Sequence, residues 1–135
     1  MLYNDSYNNN NDNYPNIRTR FIEKYTFFER HRDCNKIMSK FPDRIPIICE
    51  KYTVDFGLPE LDKHKYLVPN DITLGEFMVV IRKRIQLPAS EALFLFVGEF
   101  NHIPSSICVM SFLYDKYKSK DGFLYITYSR ENTFG

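Results

Sequence analysis

The chain has 135 residues, a one-domain length, and its 44% hydrophobic content, heavy in Phe and Tyr, is enough for a core. Lys and Arg number 18 against 17 Asp and Glu, a net charge of +1, so bulk charge recruits neither nucleic acid nor acidic partners and electrostatic specificity must come from local clusters. Three scattered cysteines without a C-x-x-C pair imply free thiols in a reducing cytosol, and the longest apolar run, Leu93 to Val97, is far too short to span a bilayer.

Residues 1–16 are dominated by Asn and cannot bury enough apolar surface to offset their ordering entropy, so a disordered arm is expected. Ile17, Phe21, Ile22 and Tyr25 recur at helical spacing and predict a short helix over about 16–25. A second helical pattern runs through Ile37 to about Lys40, where Phe41-Pro42 stops it. Arg44 to Glu50 reads as a strand, with Pro46 arguing for an edge position or a strand start. A connection containing Gly57 and Pro59 leads to a second short strand, His64 to Val68, and the two suggest a hairpin.

Thr73 followed by Glu76 is a capping box opening a helix with an apolar stripe of Phe77, Val80, Ile81 and Ile85. Arg82, Lys83 and Arg84 suit its C-terminal end, and Pro88 closes it. Leu93 to Val97 reads as a buried strand. Met110, Leu113, Tyr114 and Tyr117 form a helical stripe that Ser105 or Ser106 could cap. An Asp121-Gly122 turn starts the last strand, where Leu124, Ile126 and Tyr128 alternate with Phe123, Tyr125 and Thr127, so both faces are occupied. From residue 44 the order is strand, strand, helix, strand, helix, strand. That is the order of a ubiquitin-like β-grasp, an α+β fold, here with two additional N-terminal helices packed elsewhere on the sheet.

Several collinear blocks carry a family resemblance. Phe41-Pro42-Asp43-Arg44-Ile45-Pro46-Ile47-Ile48-Cys49-Glu50-Lys51 resembles the first strand of the autophagy-related protein 8 family, which includes GABARAP and microtubule-associated protein light chain three. Leu61 to Pro69, Leu74 to Phe77, Ile81 to Ile85, Phe94 to Val97 and the tail from Asp121 to Gly135 are similar to later blocks of the same family. The resemblance leaves the disordered arm (1–16) outside it and implies a helical extension (17–42), a β-grasp domain (43–129) and a flexible conjugation tail (130–135). It also implies a non-enzymatic modifier of autophagy. Gly135 would be joined to phosphatidylethanolamine by ubiquitin-like activating and conjugating enzymes. The protein would pass between the cytoplasm and, as a lipid-anchored peripheral protein, the autophagosome membrane. Nothing follows Gly135, so the expectation is a chain ready for conjugation or a trimmed form of a longer one, family members usually being cut by a cysteine protease that also deconjugates them.

The resemblance further implies docking of receptors and machinery that carry an aromatic residue, two spacers, then Leu, Ile or Val. The physical counterpart is an edge strand that accepts an extended peptide. The aromatic pocket maps to Asp33, Ile37, Pro46, Ile48, Lys65, Leu67 and Phe123, and the aliphatic pocket to Tyr66, Val68, Pro69, Ile72, Phe77 and Val80. Arg44, Lys63, Lys65 and Arg84 would meet acidic flanks, steering encounter. Ile45, Ile81 and Ile126 read as ordinary core. Phe94 to Val97 resembles a second docking surface, with a buried strand as the competing reading.

Other classes have less support. Gly122 to Tyr128 loosely mimics an aromatic RNA-recognition strand, but Leu124 replaces the expected small residue and no second motif pairs with it. No nucleic acid partner is expected. Cys34, Cys49 and Cys108 lack catalytic surroundings, and His31, His64 and His102 stand at no metal-ligand spacing, so neither catalysis nor a metal or cofactor is expected. A peptide-binding adaptor that is never lipidated keeps the fold and changes the role.

Overall fold

The structure, a computed structural model, describes residues 20–52 and 57–131. The Asn-rich arm, the start of the expected first helix and the last four residues, Gly135 among them, lie outside the described residues. The elements are α1 (Phe21–Lys24), α2 (Phe27–Lys40), β1 (Arg44–Lys51), β2 (Lys65–Pro69), α3 (Leu74–Ile85), β3 (Phe94–Val97), α4 (Met110–Tyr117) and β4 (Leu124–Ser129). The strands form one mixed sheet in the order β2-β1-β4-β3. β1 runs antiparallel to β2 and parallel to β4, and β4 pairs antiparallel with β3. No described helix is long and apolar enough to cross a membrane.

Local chemistry explains the element boundaries. Thr26 opens α2 with a capping box: its hydroxyl accepts from the Glu29 amide at 3.2 Å, and the Glu29 carboxylate accepts from the Thr26 amide at 3.0 Å. Those bonds hold the Glu29 carboxyl below its ordinary value, the Thr26 backbone bond first. Thr73 and Glu76 form the expected second box at α3, and such a cap contributes about 1 kcal/mol. At the other end of α3, Gln86 turns left-handed with φ 54°. The Leu87 amide then reaches the Arg82 carbonyl at 3.0 Å, closing the helix before Pro88.

The expected serine cap of α4 is absent, and Val109 is its N-cap with no side-chain bond. The β2–α3 connection replaces it: Met110 N–H donates to the Ile72 carbonyl at 2.8 Å and Ser111 N–H to the Asn70 carbonyl at 2.9 Å. Tertiary backbone contacts thus satisfy donors that a serine would otherwise take. Pro46 also departs from expectation, since β1 is a central strand. Its missing N–H costs little because pairing with β4 begins one residue later, at Ile47 opposite Leu124.

The sheet is covered on both faces. Ile45, Ile47, Tyr66, Val68, Leu124, Ile126 and Tyr128 pack with Phe77, Ile81 and Ile85 of α3 and Met110 and Leu113 of α4 in the main core. On the opposite face Cys34 and Ile37 of α2 pack over Ile48, Leu67 and Phe123, flanked by Phe21, Met38 and Tyr125. The alternation along β4 therefore divides its side chains between two cores, as the pattern predicts. Ile45, Ile81 and Ile126 are core residues. The Asp121-Gly122 turn needs its glycine for two reasons: φ is +99°, and a Cβ would stand 2.7 Å from the buried Cys34 Sγ.

Candidate functional site

The site is built around β2, which begins the sheet order and has β1 on one side only. Cys49 N–H donates to the His64 carbonyl at 2.8 Å. An antiparallel ladder alternates from such a pair, so Tyr66 and Val68 turn their backbone groups toward β1 and Leu67 turns its own outward. Outward-turned amides and carbonyls on a sheet edge are the template an added strand uses. The edge position is therefore explicit in the fold, where the sequence supplied only a short strand.

Side chains alternate as well. Lys65 and Leu67 point to the α2 face, Tyr66 and Val68 to the α3 face. On the α2 face the structure brings together six of the seven residues expected in an aromatic pocket by direct contacts. Ile37, Ile48, Leu67 and Phe123 belong to one buried cluster, and Lys65 Nζ bonds Asp33 Oδ2 at 2.5 Å. Pro46, the seventh, lies opposite Leu67 in the register and is buried. Lys65 Nζ also lies 5.5 Å from the Phe21 ring centroid and 6.0 Å from that of Phe123. Phe21 was not foreseen here.

On the α3 face Tyr66, Val68 and Phe77 are wholly buried in the main core, with the Tyr66 and Phe77 rings edge-on at 5.6 Å. The Tyr66 hydroxyl donates to the Lys63 carbonyl at 2.9 Å, and burial pushes its phenol well above the ordinary value. Pro69, Ile72 and Val80 are half-buried and are the accessible members of this side. The four basic residues are spread out. Lys63 and Lys65 are at one end of β2, Arg44 faces Pro69 at the other, and Arg84 of α3 lies 3.9 Å from Asp62.

A second set of residues holds the α2 side in place, and no sequence motif announced it. Asp121, fully buried, accepts from Arg30 Nε at 2.9 Å, the Tyr125 hydroxyl at 2.5 Å and the Phe123 amide at 2.9 Å. Burial first, and then this bond to Asp121, raise the Tyr125 phenol far above its ordinary range. Arg30 continues to the Tyr25 carbonyl at 2.6 Å and the Ile22 carbonyl at 3.3 Å. Arg30 and Asp121 are 91 residues apart in the chain.

The competing sequence readings meet specific obstacles. The aromatic face of β4, which mimicked an RNA platform, is covered by α1 and α2, with Phe123 fully buried. In β3 Leu95, Phe96 and Val97 are buried and only Phe94 is partly exposed, as a buried strand requires. Cys49 is wholly buried and Cys34 is buried, and burial pushes the Cys34 thiol up to about 12, the opposite of an activated thiolate. No group of three His, Cys, Asp or Glu able to hold a metal is found among the described residues.

The sequence and the fold both match known proteins. Residues 29–135 match the family model described as autophagy protein Atg8, ubiquitin-like. The chain is 50% identical over 119 residues to autophagy-related protein 8 of Pichia angusta, covering 88% of this chain and 93% of that one. It is 48% identical to the protein of the same name from Saccharomyces cerevisiae, covering 88% of this chain and 99% of that one. The crystal structure of Trypanosoma brucei ATG8 superposes with a TM-score of 0.74 at 42% identity, covering 84% of this chain and 95% of that one.

Proposed function

The chain belongs to the Atg8 family of ubiquitin-like autophagy proteins, and we propose that it acts as a lipid-conjugated docking platform for extended peptides. The observation that supports this reading is the edge position of β2, with Lys65 and Leu67 toward α2 and Tyr66 and Val68 toward α3. In an added strand, residues three apart point to opposite faces of the sheet. An aromatic-x-x-aliphatic segment paired with β2 thus sends its aromatic ring toward α2 and its aliphatic side chain toward α3. Backbone pairing supplies general affinity and the two pockets supply selectivity.

In this reading Asp33, Ile37, Pro46, Ile48, Lys65, Leu67 and Phe123 take the aromatic side chain. Pro69, Ile72 and Val80 line the aliphatic side over the buried Tyr66, Val68 and Phe77. Arg44, Lys63, Lys65 and Arg84 attract acidic flanks and act mainly on the association rate. Their spread along β2 suits a peptide with acid residues on both sides of its motif.

The covalent half of the function belongs to Gly135. Its carboxylate is activated by an ATP-using enzyme and held as a thioester on a conjugating-enzyme cysteine. The amine of phosphatidylethanolamine attacks the thioester carbonyl, the amide forms, and the thiol leaves. The chain supplies the acyl group and no catalytic side chain. The lipid then places the docking edge on the autophagosome membrane, and a cysteine protease reverses the bond. The partners are receptors and machinery with the peptide motif, the activating and conjugating enzymes, and the lipid.

Leu67→Asn tests the docking half. Leu67 is 6% exposed, lies on the edge strand and lines the aromatic side, whereas Tyr66 is pure core and its loss would confuse folding with binding. The substitution should weaken an aromatic-x-x-Leu peptide by about 2 kcal/mol, a hot-spot loss, with the circular dichroism of the fold retained. Unchanged affinity would place the peptide elsewhere.

A further inference from the structure

We propose that Phe21 is an intramolecular occupant of the aromatic pocket, displaced when a peptide docks. The inference rests on the docking reading above and adds a gate to it. Ile37, Ile48 and Phe123 are at most 1% exposed, so an incoming ring cannot reach them as they stand. Phe21 covers them. Its ring meets Phe123 edge-on, with centroids 5.4 Å apart and planes at 81°, and the Lys65 ammonium sits within cation–π range of both rings. Phe21 thereby makes the edge-to-face and cation contacts that a guest aromatic residue would make in its place.

The segment that carries Phe21 is suited to leaving. α1 has four residues, none buried, and its N-cap Arg20 makes no side-chain cap bond. A helix of that length has no stability of its own. Its polar anchors include the Phe21 amide on the Glu50 carboxylate at 3.0 Å and the Arg30 guanidinium on the Ile22 and Tyr25 carbonyls. Peripheral elements held by a few such contacts open locally while the rest of the fold stands. Tyr25, extended between α1 and the Thr26 cap of α2, is the joint about which α1 moves.

A binding site that is competent only when Phe21 is out shows an affinity reduced by the open fraction. The test titrates the full chain, as wild type, Phe21→Ala and Glu50→Ala, with a fluorescent aromatic-x-x-Leu peptide. Phe21→Ala empties the pocket. Glu50→Ala leaves every pocket side chain in place and removes the carboxylate that anchors α1. Both variants should bind about tenfold tighter with faster association, as for an open state populated at about one part in ten. Leu67→Asn added to Phe21→Ala should cancel the gain. Equal or weaker binding by both single variants, with wild type still binding, overturns the gate and leaves the docking reading intact. No binding by any of the three proteins overturns the docking reading and the gate together.

Discussion

Replacing Gly135 by Ala should abolish the lipid adduct in a reconstituted conjugation reaction. In the proposed function the Gly135 carbonyl is reached by a thiol and then by an amine, each inside an enzyme channel. A residue without Cβ leaves both approach directions open and gives the tail backbone freedom that no other residue has. A methyl group on the terminal residue crowds the carbonyl at each transfer. The rest of the molecule should not notice: β4 ends at Ser129, so the variant should fold and bind peptide as the wild type does. The readouts are the gel mobility shift and the adduct mass after incubation with activating enzyme, conjugating enzyme, ATP and phosphatidylethanolamine vesicles. An undiminished shift with the adduct mass present would remove Gly135 from the role.

The second large effect is on stability. Asp121→Ala should cost about 3–5 kcal/mol in denaturant unfolding, the usual cost of removing one partner from a buried pair. The carboxylate has no exposure, while the Arg30 side chain is 14% exposed. Its loss strands the Arg30 Nε, the Tyr125 hydroxyl and the Phe123 amide together. Asp121→Asn keeps an acceptor for the Phe123 amide and turns a donor toward Arg30, so it should fall between wild type and alanine. A loss under 1 kcal/mol for alanine, the range of a surface pair, would contradict the account of this buried hub.

What the sequence made legible was mostly periodic or local. The alternation along 123–128 announced a strand covered on both faces, and Thr73 with Glu76 announced the start of α3. The family blocks supplied the residues proposed for the two pockets, and the fold sets those residues on the two faces beside β2. The end of the first helix at about residue 25 was legible, whereas the start of α2 at Phe27 was not marked. The capping pair Thr26 and Glu29 was the available signal, at the same spacing as the box that marked α3. The stripe from Met110 marked α4, but its cap was not legible, because carbonyls from Asn70 and Ile72 cap it through tertiary contact. Nor could any local pattern join Arg30 to Asp121, or place Phe21 against Phe123. Those contacts exist only once α2 lies across the sheet. The edge position of β2 belongs to the same class, since it depends on which strands pair and in what order.

In the proposed function one edge strand serves two pockets on opposite faces of the sheet. The most direct measurement titrates the wild-type chain with two peptides that differ by one spacer residue, aromatic-x-x-Leu and aromatic-x-Leu. An extended strand of the first sends its two anchors to opposite faces, and the second sends both to the same face. The shorter peptide should therefore lose one anchor and bind weaker by about 2–4 kcal/mol, the loss of a hot-spot contact. Equal affinity for the two peptides would contradict the account.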